Sequence, residues 1–256
     1  MNWEPHQILI TVKTYPTPSK KYVETVCVAG VSLSNKKFVR LYPIRYRDLD
    51  ENKKFKKYSV IKAKIAKAAD DHRPESYKIN ADSIEIIDTL GTKDKWLKRK
   101  GIVLPVLDKS MCEILKQEPL THKSLGLIKP ERIEFTKGKA RNKDIEEAQR
   151  CYAQMDLINK QKQTIEFIPY EFRYKFYCAG EPNCPGHDFP IIDWEIGQSY
   201  RSWRADYPNE DVLLQKIKQR WFDEICSPNK DTYFYVGNVH RFRDTFMVLG
   251  VFYPPK

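Results

Sequence analysis

The sequence predicts an α+β protein: a small amino-terminal β-barrel, then a carboxy-terminal mixed sheet with one long helix and a knuckle-like loop. Three observations lead there. Short segments of alternating apolar residues, separated by tight polar turns, follow one another between Ile8 and Ile65. After Asn209, the residues Leu214, Ile217, Trp221 and Ile225 recur at helical spacing. Between these regions lies FRYKFYCAGEPNCPGHDFPIIDWE, Phe172 to Glu195, a strand pattern broken by a Gly- and Pro-containing loop and resumed by a second apolar run.

The chain of 256 residues is 41% hydrophobic and 31% charged, enough for one large or two small domains with full cores. The division expected is 1–135 for the barrel with a helical extension and 144–256 for the α+β part. No apolar run approaches the ~20 residues that span a bilayer, and the opening MNWEPHQILITVK lacks the layout of a secretory signal, so a cytoplasmic protein without a membrane partner is expected. Six cysteines are too sparse for a disulfide framework; reduced thiols, some of them holding metal, fit better.

Ile8 to Lys13 opens the first strand, and Tyr22 to Gly30 forms the second, followed by the polar turn LSNKK. Phe38 to Tyr42 is the third. Its alternation places Phe38, Arg40 and Tyr42 on one side, next to Arg45, Tyr46 and Arg47. In the fourth, Tyr58 to Ile65, Ile61, Ala63 and Ile65 face inward and Lys62 and Lys64 outward. So many short strands in so few residues suggest a barrel of OB or PUA-like type.

Charge singles out the same region. The net charge is +11, and Met1 to Lys67 carries 15 Lys+Arg against 5 Asp+Glu, whereas the remainder carries 30 against 29. Segregation of this kind points to a polyanionic partner, with nucleic acid favoured and DNA and RNA not distinguished. The candidate contacts are Lys20, Lys21, Lys36, Lys37, Arg40, Tyr42, Arg45 and Arg47. Cations neutralise phosphates, and rings and guanidinium planes stack on unpaired bases, so the mixture suits single-stranded, structured or modified nucleic acid. A solvated lysine-rich face, or an acidic protein partner, is the alternative.

Residues 13–43 also resemble a known family. The run KTYPTPSKKYVETVCVAG followed by FVRLYPI is similar to the start of the dual OB-containing domain family, through Lys20, Cys27, Ala29, Gly30, Val39, Arg40 and Pro43. The resemblance implies a nucleic-acid-handling barrel of the sort found in prokaryotic conflict systems, without establishing a catalytic site.

Further along, Asp70 to Ser76 is a polar loop in which Arg73 can pair with acids, and Lys93 to Lys100 is a short basic helix. Asp108 to Lys116 is a helix capped by Asp108 or Ser110, with Met111, Ile114 and Leu115 as its buried side. Ser124 to Phe135 reads as two extended pieces separated by Pro130, and Asp144 to Leu157 as helical at its start. Asn209 caps the long helix. Thr232 to Val236 and Phe246 to Phe252 are closing strands, joined by a loop GNVHRFRDT that turns at Gly237-Asn238.

In the knuckle, Cys178, Cys184 and His187 fall at C-x5-C-x2-H spacing, and the glycines and prolines let them converge on one zinc-type ion. Tetrahedral zinc needs a fourth ligand: Cys226, Cys151, His240, Asp188, Asp193 or water. Closure by protein makes the zinc structural. Closure by water, with Asp193 or Glu195 as base, makes it catalytic. Structural use is favoured, because the usual hydrolytic zinc signatures are absent. Asp193 and Glu195, flanking Trp194 on a strand, share one face and could hold Mg²⁺ for phosphodiester cleavage, although Gly197 stands where a D…E-x-K nuclease has lysine; a metal-dependent nuclease or related hydrolase is the rival to a nucleic-acid-binding protein. No Walker loop, dinucleotide fingerprint, nucleophile elbow or kinase motif is present.

Overall fold

The computed structural model describes residues 2–19, 23–140, 146, 166–240 and 242–256. Its first half is a closed five-stranded barrel. β1 (Glu4–Lys13), β3 (Val23–Ser32), β4 (Phe38–Ile44), β6 (Ser76–Ile79) and β5 (Ser59–Lys67) pair in that order, and β5 returns to β1 to close the ring. All these pairings are antiparallel except β4 with β6. β2 (Thr17–Ser19) pairs with β3 and β7 (Glu85–Thr89) with β5.

The run ILITV in β1 is apolar at every position because the strand is buried on both faces. Ile8 and Ile10 enter the barrel core with Val26, Val28, Leu41 and Ile61. Leu9 and Val12 point outward into a second core, shared with Leu127, Tyr235, Leu249 and Phe252 of the carboxy-terminal half. Gly30 makes the close pairing of β1 with β3 possible: a Cβ there would stand 2.3 Å from the Leu9 carbonyl oxygen.

Two helices follow the barrel. α1 (Lys93–Val103) contains Asp94, Lys95 and Trp96 in left-handed backbone conformation, φ 51°, 51° and 63°, so its regular turns start after Trp96. Three such residues in succession cost roughly 1–2 kcal/mol each, which the seating of Trp96 against Tyr58, Phe252 and Tyr253 offsets. α2 (Met111–Thr121) is capped by Ser110, whose Oγ accepts from the Glu113 amide at 3.0 Å.

Two three-stranded antiparallel sheets follow. One orders β11 (His187–Pro190), β10 (Tyr170–Cys178) and β9 (Pro130–Lys139); the other orders β13 (Phe242–Phe252), β12 (Tyr233–Val239) and β8 (Leu125–Ile128). An isolated parallel bridge, Ile191 to Val248, joins them. α3 (Trp194–Trp203) and α4 (Glu210–Lys218) cover the resulting core, where Tyr174 stacks on Phe234 at 4.6 Å between ring centroids.

Some expectations need correction. The long helix has its Asn209 cap, accepting from the Val212 amide, but α-helical geometry ends at Lys218 and a π-helical stretch, Gln219–Glu224, carries Trp221 into the core. Asp193 and Glu195 do not lie on a strand. Asp193 is the N-cap of α3, its Oδ1 accepting from the Glu195 amide at 3.0 Å. Gly237-Asn238 is no turn: both pair within β12, and a Cβ on Gly237 would meet Leu249 and Leu125 at 2.7 and 2.9 Å. That glycine answers sheet packing rather than chain reversal. The helix expected at the start of Asp144 to Leu157 lies, apart from Glu146, outside the described residues.

Candidate metal centre

The knuckle forms at the end of β10. Burial of Phe172, Tyr174, Phe176 and Cys178 follows the strand alternation, which delivers the Cys178 thiol to the core side. The chain then reverses through two successive turns, the Glu181 amide donating to the Cys178 carbonyl at 3.2 Å and the Cys184 amide to the Glu181 carbonyl at 3.0 Å. Gly180 and Gly186 supply the left-handed positions, φ 73° and 84°. β11 starts at His187 in register with Phe176, which brings the imidazole back over the thiols between Phe176 and Phe189.

The fourth partner is Cys112, from the first turn of α2. The ligand atoms of Cys112, Cys178, Cys184 and His187 all lie within 4.8 Å of one another. His187 Nε2 is 3.5 Å from Cys112 Sγ and 3.4 Å from each of the other two sulfurs, and Cys112 Sγ is 3.9 Å from Cys178 Sγ. A tetrahedral ion with metal–sulfur and metal–nitrogen bonds of about 2.3 and 2.05 Å separates its ligands by about 3.8 Å (S to S) and about 3.6 Å (S to N). Those four distances match the edges of such a tetrahedron, the two remaining sulfur pairs lie within 4.8 Å, and the four side chains could hold a metal ion.

The electrostatics agree with the geometry. Burial pushes the Cys112 thiol up to about 12, with the Cys184 and Cys178 sulfurs adding to the shift. Burial also raises Cys178. Cys184 moves the other way: burial opposes its thiolate, but the Cys178 and Gly186 amides and the two neighbouring thiols outweigh that and lower its pKa. Burial lowers the His187 pKa, favouring the neutral imidazole that a metal requires.

Among the fourth ligands proposed from sequence, Cys226 contacts the Trp221 carbonyl, Asp188 pairs with Arg173, and His240 faces Asp71 at 3.9 Å. Cys151 lies outside the described residues. Asp193 is buried against Lys57, with Asp193 Oδ2 at 2.6 Å and Glu195 Oε2 at 3.2 Å from Lys57 Nζ. Both carboxylates of the suggested magnesium pair thus face the same ammonium. Cys112 carried no spacing signal in the sequence; its only mark was a cysteine next to the buried Met111 at a helix start.

The barrel residues singled out for nucleic acid do not form one cluster. Lys36 and Lys37 are exposed in the turn before β4. Arg40 is buried, its Nη2 donating to the Ser124 carbonyl at 2.8 Å and its Nη1 to Cys27 Sγ at 3.3 Å. The side of β4 that carries Phe38 and Arg40 is covered by the carboxy-terminal half, and the cover ends before Tyr42, which is 39% exposed. Arg45 is exposed and pairs with Asp48 at 2.5 Å, while Arg47 is half-buried. Lys20 and Lys21 lie outside the described residues. In the polar loop, Arg73 is buried between Asp71, at 2.7 Å, and the Asn238 carbonyl, at 3.1 Å. No helix among the described residues is long and apolar enough to cross a membrane.

Comparison with known proteins divides the chain between α1 and α2, ahead of the boundary expected from the sequence. Residues 4–105 match the model of a domain of unknown function, DUF8758, and residues 107–256 match that of a second, DUF8757. No curated protein matches. All four ligands of the metal centre lie in the second segment, which spans more than half of the chain: the protein belongs to the DUF8757 family.

Proposed function

We propose that this chain is a nucleic-acid-binding protein whose barrel presents the contact surface and whose Cys/His cluster holds a structural zinc ion. Charge placement carries the reading: almost all of the +11 net charge belongs to Met1 to Lys67, the part of the chain that builds most of the barrel. Lys36, Lys37, Lys56, Lys62 and Lys64 stand exposed there, as does Arg45. Cations in this arrangement bind phosphates and release counterions. The exposed Tyr42 ring, three residues from Arg45, adds a platform for an unpaired base. In this reading the barrel acts as an OB- or PUA-like reader of single-stranded, structured or modified nucleic acid, as its resemblance to the dual OB-containing domain family also suggests.

Zinc suits three soft thiolates and an imidazole, and four protein ligands leave no position for a reactive water, so its role is to pin α2 to the β10–β11 loop. Charge reversal tests the binding reading. Changing Lys36, Lys37, Arg45 and Lys62 to Glu together is expected to weaken binding to a single-stranded oligonucleotide by more than ~10-fold at low salt and to flatten its salt dependence. The unfolding temperature should stay unchanged. Unaltered affinity in the folded variant would contradict it.

A further inference from the structure

A cavity of about 370 Å³ opens where the two halves meet, on the side of β1 where Asp193 caps α3. Lys13, Lys56, Lys57, Trp96 and Arg99 reach it from the first half; Trp194, Glu195 and Tyr253 reach it from the second. Neither segment alone builds it. Its volume lies within the range of about 300–1,000 Å³ typical of small-ligand sites.

The wall chemistry is unusual for a structural seam. Four cations face the cavity but only one carboxylate lines it, with Asp193 buried behind. Lys57 is held by both acids, as described above. Arg99 donates to the Leu90 carbonyl through Nε and Nη2, at 2.8 and 2.6 Å, and lies over the Tyr58 ring at 3.9 Å. Lys13 differs: its ammonium rests over the faces of Tyr46 and Trp194, 4.1 and 4.5 Å from the ring centroids. Lys56 is exposed at the mouth. The aromatic rings and the remaining positive charge therefore occupy the same small space.

We infer that this cavity binds a nucleoside monophosphate unit: its phosphate pairs with Lys56 and draws the Lys13 ammonium off the indole it now covers, and its base stacks on the Trp194 face so uncovered. Every base offers a planar face to such a wall, and an indole is a strong stacking partner. Glu195, with its side chain 53% exposed, stands ready to accept a hydrogen bond from an amino or ring N–H group on the base edge. The unit comes from a free nucleotide or from a nucleotide turned out of a strand, a geometry that single-stranded and modified substrates adopt at low cost. The strand source rests on the nucleic-acid reading above; the free nucleotide does not.

The test titrates the full chain with each of the four common ribonucleoside 5′-monophosphates and with a fluorescently labelled single-stranded oligonucleotide, recording indole quenching, calorimetric binding heat and, independently, anisotropy. Two variants accompany the wild type. Trp194→Leu removes the stacking wall, and Lys56→Glu, at an exposed position, reverses a phosphate contact without touching the core. Saturable quenching by a monophosphate, weakened at least ~10-fold in Lys56→Glu, with its calorimetric binding heat lost in Trp194→Leu, establishes a free-nucleotide site. Quenching by the oligonucleotide alone, with the same response to the variants, establishes a site for a strand nucleotide. The inference is overturned if neither ligand quenches, or if Lys56→Glu binds and quenches like the wild type. Oligonucleotide anisotropy that persists with an unresponsive cavity leaves the binding function standing without this site. Monophosphate binding without oligonucleotide binding does the reverse.

Discussion

The Cys/His cluster and the seam cavity both gather polar side chains from distant parts of the chain, yet they differ in how those side chains are satisfied. At the cluster, four ligand atoms lie within 4.8 Å of one another, and three of the four residues are buried. At the cavity, Lys57 is held by Asp193 and Glu195, Lys13 rests on the Tyr46 and Trp194 rings with no carboxylate among the described residues in contact, and Lys56 is exposed at the mouth. In the proposed reading, convergence on a point serves to pin the fold. Convergence around a volume marks a site able to receive a ligand.

Removing ligands from the point-like site gives the largest effect expected. Cys112→Ser should abolish stoichiometric metal and cost more than about 4 kcal/mol, read by elemental analysis and denaturant unfolding. A Cys112→Ser protein that keeps its metal and its stability would break the contrast. Asp193→Ala comes next. It strands the buried Lys57 ammonium and removes the α3 cap, and a cost of about 3–5 kcal/mol is expected in the same unfolding assay. A cost below about 1 kcal/mol would mean that the inner wall of the cavity does not bear on the fold.

Gly186→Ala gives a smaller, local effect. The position has φ 84° and a Cβ would lie 3.3 Å from the Tyr177 ring, so about 1–2 kcal/mol should be lost. Ligand binding at the cavity should be unaffected, which separates the two sites directly. The smallest effect concerns pH. Burial lowers the Lys13 pKa from 10.5 to about 8, with Glu195 and Asp193 opposing the shift and Lys57 reinforcing it. The unfolded chain keeps that proton up to about 10.5, so between about pH 8 and 10.5 it binds more protons at this residue than the folded chain, and the Lys13 contribution to stability rises with pH. Anion binding at the cavity should run the opposite way, weakening as pH passes about 8. Comparing wild type with Lys13→Met across that interval checks both signs.

What the sequence displays is what depends on near neighbours. The alternation of β10 places Phe172, Tyr174, Phe176 and Cys178 inward, Ser110 and Asn209 are recognisable caps, and Cys178, Cys184 and His187 stand close enough in the chain to announce a shared site. Cys112 is 66 residues from Cys178, and Lys57 is 136 from Asp193. No local period encodes such pairs, because they depend on how the second half docks on the barrel. Docking also explains Arg40. Strand alternation assigns it a face correctly, but that face meets Ser124 rather than water. Gly237 follows the same rule: a glycine before an asparagine has the local pattern of a turn, but the Leu249 and Leu125 side chains that crowd it come from distant strands.

The central claim is that the barrel's cations serve to bind nucleic acid. The most direct measurement is the equilibrium affinity for a single-stranded oligonucleotide over a series of salt concentrations. The expected result is a linear fall of log affinity with log salt, with a slope of magnitude about 3 or more, reflecting several phosphate contacts. Absent binding, or an affinity that salt leaves unchanged, would contradict the claim.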